Sequence, residues 1–303
     1  MRVLIALDHA PHSAAVFHLM QMRNWPPGTE FRLLSVVERS ESKFFNWASD
    51  HASFIHDRDK ELAEKFLHET EVELKAEYPS YKFETLLLRG HASENILQEA
   101  ETWHADLLVL GSRGSRLSDP FMLGSVSQAV LEHSSCPVVL ARNNAEYNTD
   151  TTNVLLPLDH SSYSAIAAEW LMKQRFSKPL SLQIVSVVPA MPENYAHEFN
   201  VERAARLLSE YQDMERAALN LLRDWRDKFN SSLGGNTATC ELLYGDPREA
   251  ILLAASKWPA ELIVMGSHGH TGITRFLLGS VSRFISANAG CSVEVVHTGR
   301  VEL

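Results

Sequence analysis

The chain has 303 residues, 45% hydrophobic and 22% charged, a composition that excludes disorder and coiled coil and leaves room for two ordinary domains or one large one. Its formal net charge of -10 disfavours sequence-independent binding of nucleic acid, which runs on Lys and Arg neutralising phosphates. Three cysteines, Cys136, Cys240 and Cys291, without C-x-x-C spacing give neither a disulfide framework nor a zinc knuckle and fit a reducing cytoplasm.

The first apolar run, Val3–Leu7, is stopped by Asp8 and is too short for the core of a signal peptide, so a strand is expected there and no leader. Further strands are predicted at Phe31–Val37, Phe83–Leu88, Leu107–Leu110 and Val138–Ala141, short Val/Leu/Ile runs alternating with longer amphipathic stretches. Between the second and third, a helix is predicted over Asp59–Tyr78, with Leu62, Phe66, Thr70 and Leu74 at four-residue steps facing the sheet. The segment Phe44–Ala48, with Phe54, is aromatic for a connection; closure over a pocket, contact with a partner and packing on its own domain are all open to it. The polar, unpatterned residues 143–150 read as a linker. No apolar run reaches the roughly 18 residues of a membrane-spanning helix, so a soluble protein without membrane contact is expected.

Beyond the linker the sequence repeats itself. Val3–His9 is echoed by Val154–His160, and Leu34–Val37 by Val185–Val188, both displaced by 151 residues. Gly90 answers to Gly245, and from there Gly111, Gly114, Gly124, Ser125 and Cys136 answer to Gly266, Gly269, Gly279, Ser280 and Cys291, all displaced by 155. The helix counterpart is predicted over Val201–Phe229, with Leu207, Tyr211, Ala218 and Leu222 on its stripe. Chance similarity does not keep order and spacing over a whole half. The expected architecture is α/β, two tandem doubly wound domains, each a five-stranded parallel sheet of order 3-2-1-4-5 with helices on both faces. The boundaries are residues 1–142, a linker at 143–151, and residues 152–303.

In such a sheet, ligands bind beyond the carboxyl ends of the strands where the strand order reverses, between strands one and four. Asp8 and Asp159 end strand one in the two halves. After strand four come Gly111-Ser112-Arg113-Gly114, nine residues, then Gly124-Ser125-Val126-Ser127, and in the second half Gly266-Ser267-His268-Gly269, nine residues, then Gly279-Ser280-Val281-Ser282. Glycines let backbone N–H groups approach phosphate oxygens and form concave nests. Ser125 and Ser280, opening the next helix, are expected to cap it where its unpaired N–H groups and dipole favour an anion. The loop is not a Walker loop, since no Lys precedes the Ser, nor a dinucleotide fingerprint, since the glycines are spaced differently.

Gly-x2-Gly-x9-Gly-Ser after strand four, with Asp ending strand one, resembles the ATP-binding branch of the universal stress protein family, over nearly the whole chain and twice. The resemblance implies a site for ATP or another adenine nucleotide in each half, with Mg²⁺ carried on the phosphates. It implies that Val36 and Val187 face the adenine through their backbone, that Asp8, Pro157 and Asp159 face the nucleoside, and that both loops line the ribose and phosphates. It also implies a pairing of domains through strand five, here an intrachain pseudo-dimer, with pairing of whole chains as a further step. The turns Gly90-His91-Ala92 and Gly245-Asp246-Pro247 resemble the family's Gly-x-Pro before helix three, the first lacking the Pro.

Structural readings stand beside these. Asp8 and Asp159 suit capping as well as ligand contact, and the two are compatible. His9, His160 and His268 lie on loops without companion ligands at a zinc-like spacing, so no metal cage is expected. Cys136 and Cys291 read as small buried thiols. Arg113, opposite His268, either reaches a phosphate or points to solvent. The sequence offers no positioned general base, nucleophile–His pair or Walker-type Lys, so it reads as a nucleotide-binding stress-response regulator with at most slow hydrolysis. The alternative is an ATPase or phosphotransferase on the same fold.

Overall fold

A computed structural model describes residues 1–8, 13–38, 49–111, 123–142, 150–191, 201–269 and 278–297. The chain divides into two compact units, one built on Met1–Asn143 and one on Asn144–Val296.

In the first unit β1 (Arg2–Ala6), β2 (Glu30–Val37), β3 (Lys82–Arg89), β4 (Leu107–Gly111) and β5 (Val138–Ala141) are parallel and lie in the order β3-β2-β1-β4-β5. In the second unit β6 (Thr152–Pro157), β7 (Leu180–Val188), β8 (Ala238–Tyr244), β9 (Leu262–Gly266) and β10 (Ser292–Val296) repeat that order as β8-β7-β6-β9-β10. The predicted 3-2-1-4-5 arrangement is present twice. Buried on both faces, β1, β4, β6 and β9 carry near-continuous Val/Leu/Ile, as parallel strands covered by helices must. Among the described residues four helices serve each unit: α1 (Ser13–Met22), α2 (Ser49–Glu77), α3 (Ala92–Thr102) and α4 (Ser125–His133), then α5 (Ser162–Lys173), α6 (Val201–Leu233), α7 (Pro247–Lys257) and α8 (Ser280–Asn288).

Two sequence expectations shift. Helix α2 begins at Ser49, ten residues before the predicted start, and takes in Phe54; residues 44–48 of the aromatic segment lie outside the described residues. Its buried face is Ala63, Leu67, Thr70 and Leu74, whereas Leu62 is 50% exposed. Steps of four drift by about 40° each against a 3.6-residue turn, so Leu62 and Leu74 cannot share one face; steps of four and three can. Helix α6 buries Ala218, Leu222, Trp225 and Phe229 but leaves Leu207 37% exposed. A helix of 33 residues runs about 50 Å, whereas the nine-residue β7 spans about 30 Å, so the first turns of α6 extend past the sheet. Cys136 and Cys291 are buried, as read from the sequence.

The turns into helix three explain their glycines. Gly90 and Gly245 sit at φ +132° and +119°, where an L side chain is strained, and their N–H groups return to Val37 O and Val188 O at 3.1 and 3.0 Å. The second turn is the better capped: the Asp246 carboxylate accepts from Arg248 N at 2.8 Å with Pro247 opening the helix, while His91 makes no side-chain cap.

Across the exposed edge of the first sheet, the Arg32 guanidinium donates to Glu84 at 2.9 Å and to Glu99 while lying 4.3 Å over the Trp103 ring, and Lys82 reaches Glu84 at 2.8 Å. Hydrogen bonds from Lys82 and Arg32 hold the Glu84 carboxyl down at about 2. A depressed carboxylate contributes stability that is complete above its unfolded value of 4.5 and is lost as pH falls toward 2. Glu84→Gln is therefore expected to flatten the acid limb of the stability curve between those values and to reduce its salt sensitivity, since Glu84 is partly exposed and screened. Urea unfolding at pH 7, 4 and 3 checks this; an unchanged acid limb would refute it.

Candidate functional site

The site is built from the carboxyl ends of strands one and four of each unit, which neighbour each other in the sheet: β1 beside β4 and β6 beside β9. The last backbone step of strand one is fixed alike in both units, Leu7 N–H donating to Leu34 O and Leu158 N–H to Val185 O, each at 2.8 Å. Asp8 and Asp159 follow directly. Pro157 ends β6, and Val36 and Val187 lie near the carboxyl ends of β2 and β7.

In the second unit the structure brings the carboxylate and the glycine loop together. Asp159 Oδ1 accepts from the backbone N–H of Ser161 at 3.0 Å and from its hydroxyl. A methyl group added at Gly269 would lie 2.7 Å from Asp159 Oδ2, so the other carboxylate oxygen is set against the loop backbone. At Gly266, which ends β9, an added methyl would lie 2.7 Å from the carbonyl carbon and oxygen of Tyr163, where α5 begins. Gly279 closes the loop: its N–H donates to Ser267 O at 2.8 Å, and a methyl there would lie 3.2 Å from His268 Cα. Close approach to backbone demands glycine at Gly266, while at Gly269 the neighbour is a side chain that can move and at Gly279 the contact is only tight; none of the three is set by its φ angle.

His268 stands in this cradle with its Nδ1 3.1 Å from Ser267 Oγ and its ring 4.9 Å from that of Tyr163. Its Nε2 is buried without a hydrogen-bond partner, as is Asp8 Oδ2 in the first unit, among the described residues. Buried polar atoms are seldom left so, because an unmade hydrogen bond costs about 1–3 kcal/mol. Asp8 Oδ2 calls for a donor and His268 Nε2 for a polar partner, and with the close-approach glycines of the second unit they fit a hydrogen-bonding ligand.

The helix after the loop differs from expectation in one respect. Ser125 and Ser280 are its first residues and are exposed, while the N-cap positions fall on Gly124 and Gly279, which carry no capping side chain. The N-terminal N–H groups of α4 and α8 thus lack a cap from the N-cap side chain, and the dipole at such a helix end favours negative charge. Ser127 and Ser282, two residues further on, are buried and donate their hydroxyls back to Gly111 O at 2.9 Å and Gly266 O at 2.8 Å. That strap, the same in both units, ties the helix start to the end of strand four. The sequence motif groups these serines with the ligand-facing loop, and their spacing of sixteen residues from the glycine carries no visible signal of the strap. Ser112, Arg113 and Gly114 of the first loop lie outside the described residues, whereas Gly111, Gly124, Ser125 and Val126 occupy the positions of Gly266, Gly279, Ser280 and Val281. His9 also lies outside them. Among the described residues no group of three or more His, Cys, Asp or Glu is placed to hold a metal, and no helix is long and apolar enough to cross a membrane.

Two doubly wound units, each with a carboxylate following its first strand and the same Gly-Ser sequence frame following its fourth, define a duplicated α/β protein. The family model described as Universal stress protein family matches residues 1–142 and again 151–297, and the chain belongs to that family. It is 31% identical over 153 residues to a universal stress protein of Methanocaldococcus jannaschii, covering 49% of this chain and 84% of that one. Over 97% of its length it aligns at 23% identity with a universal stress protein of Mycobacterium tuberculosis, covering 94% of that protein. In fold it is similar to a solved universal stress protein of Archaeoglobus fulgidus, with a TM-score of 0.67, 22% identity and 98% of both chains covered.

The two tightest glycines are expected to separate fold from site. Gly266→Ala, which drives a methyl into backbone, should cost about 1–3 kcal/mol of stability, the range for overpacking. Gly269→Ala, which meets a carboxylate that can swing away, should cost clearly less while displacing Asp159. Urea midpoints of the two variants measure the difference, and equal midpoints would show that the approach of α5 to β9 is not the tighter constraint.

Proposed function

We propose that this protein is an adenine-nucleotide-binding regulator with one ATP-type site in each unit, its occupancy altering how it meets partners under stress. The observation that carries this reading is the second cradle. Asp159, Gly266, Gly269 and Gly279 converge on the uncapped start of α8, beside a buried His268 Nε2 in need of a partner. Membership of the universal stress protein family supports it, as does the same sequence frame in the first unit. On this reading Gly266, Ser267, His268, Gly269, Gly279, Ser280 and Val281 hold ribose and phosphates, Asp159 and Pro157 face the nucleoside, and Val187 faces the adenine. Asp8, Val36, Gly111–Gly114 and Gly124–Val126 do the same in the first unit. Mg²⁺, where present, rides on the phosphates, and the protein works in the cytoplasm.

The same reading makes strand five an association element. Within its own unit β5 has only β4 as neighbour and β10 only β9, which leaves an apolar edge suited to pairing with another strand. We assign that pairing to the two halves of one chain, with pairing of whole chains as a second level. Amide exchange on dilute, monomeric protein should find the outward-facing N–H groups of both strands protected; rapid exchange would set the assignment aside.

Calorimetric titration with ATP tests the nucleotide reading directly. Two saturable sites per chain are expected, reduced to one by either Gly124→Val or Gly279→Val, with the fold retained in both variants. Absence of saturable binding would refute the reading. Multiple turnover at about 1 per second or faster in the same mixture would make the protein an enzyme instead.

A further inference from the structure

The two carboxylates that end strand one are not held alike. In the second unit Ser161 spends both of its donors on Asp159, the backbone N–H at 3.0 Å and the hydroxyl, and both reach the same oxygen, Oδ1. The oxygen of that hydroxyl also accepts from Ser164 N at 3.2 Å, capping α5. Ser164 closes the ring, donating its own hydroxyl to Asp159 O at 2.6 Å. One carboxylate oxygen is therefore anchored, and the other is turned to the loop beside Gly269. Two residues after Asp8, in the place of Ser161, the first repeat has Ala10, while Ser13 keeps the place of Ser164. Alanine has no hydroxyl, so the side-chain half of the clamp is absent by composition. Separately, Asp8 Oδ2 is a buried oxygen without a partner among the described residues, which do not include Ala10.

We propose that Ser161 is a positioning residue that makes the second nucleotide site the tighter of the two, leaving the first to be ordered by the ligand itself. This rests on the nucleotide reading above. Its physical basis is preorganisation: a side chain already fixed during folding adds no ordering cost at binding, and an acceptor locked by charge-assisted hydrogen bonds presents one geometry to the ligand. One immobilised side chain corresponds to a difference of up to about tenfold in affinity. The protein then responds at two nucleotide levels, the second unit filling first.

The test uses the full chain, ATP as probe and one site silenced at a time. With Gly124→Val the second site is read alone, and with Gly279→Val the first. The second site is expected to bind about tenfold more tightly. In that background Ser161→Ala should weaken it by about that factor. Ser161→Gly removes the same hydroxyl but keeps nearly all the helix-capping value of the position, so it should weaken binding equally. Ser161→Thr should restore it. A role limited to capping α5 predicts instead that the Gly variant binds like the parent. Ala10→Ser in the other background should tighten the first site. If Ser161→Ala unfolds, the Gly and Ala10→Ser variants carry the test. The inference is overturned if ATP binds and the Ser161→Gly variant stays within twofold of its parent, or if the first site proves the tighter. A chain that binds no ATP at all overturns the nucleotide reading and this inference with it, a result separable from the others because it appears before any Ser161 substitution.

Discussion

The site depends on how closely the start of helix α5 approaches the end of strand β9. At Gly266 no Cβ fits, because the Tyr163 backbone occupies its place. That approach puts Asp159, which leads into α5, against Gly269, which leaves β9. It also lets Tyr163 lie on the His268 ring. The 3-2-1-4-5 order makes such contact available, since strands one and four are neighbours with connections that leave in opposite directions. Glycine is what turns neighbouring strands into a cradle: a larger residue at position 266 would hold helix and loop apart.

The second constraint is electrostatic and concerns what the fold leaves unmet. Interiors normally pair their polar atoms, and most helix starts are satisfied by a Ser, Thr, Asp or Asn side chain. This protein does so at α5, capped by Ser161, and at α7, capped by Asp246, though not at α3, where His91 makes no side-chain cap. At α4 and α8 it does not, placing glycine at the N-cap and the following serine outward. The buried hydroxyls of the first turn, Ser127 and Ser282, are turned away to the carbonyls of Gly111 and Gly266. A capping group is thus withheld at the helix ends where the glycine loop arrives, which is the arrangement an anion-binding end requires.

Much of this was legible in the sequence because it is written in spacing. The duplicated Gly and Asp frame marked the repeat, and the alternation of Val/Leu/Ile runs with amphipathic stretches placed the five strands of the first unit to within a residue. What escaped was set by three-dimensional direction. The face of α2 depends on the 3.6-residue period accumulated over several turns, so a stripe of four-residue steps chose Leu62, which is exposed, in place of Ala63, which is buried. The serine straps depend on which way a hydroxyl points at the third helical residue, and the clamp on Asp159 depends on a turn that folds Ser161 back over it. None of these has a fixed sequence signature, since Ser serves equally as cap, strap or surface residue.

The duplication also shows which features the two units keep and which they vary. Both retain the strap between the helix after the loop and the end of strand four, the Leu–backbone step before Asp, and the positive-φ glycine before helix three. Both also hold the start of strand one with a carboxylate just before strand four: Asp106 accepts from Arg2 N at 2.7 Å and Glu261 from Asn153 N at 3.4 Å. Away from the cradle the solutions diverge. Arg32 in β2 forms an ionic bridge to Glu84 and Glu99, whereas Gln183, at the same place in β7, donates to Glu241 at 2.8 Å. Val139 lies in the middle of β5, and its counterpart in β10 is Glu294, fully buried and held by the Trp170 indole N–H at 2.7 Å. A buried carboxylate is costly unless hydrogen-bonded, and the Trp170 indole in α5 supplies Glu294 with one such bond. Divergence of packing around a constant set of backbone contacts is what is expected when the contacts, and not the side chains that surround them, define the site.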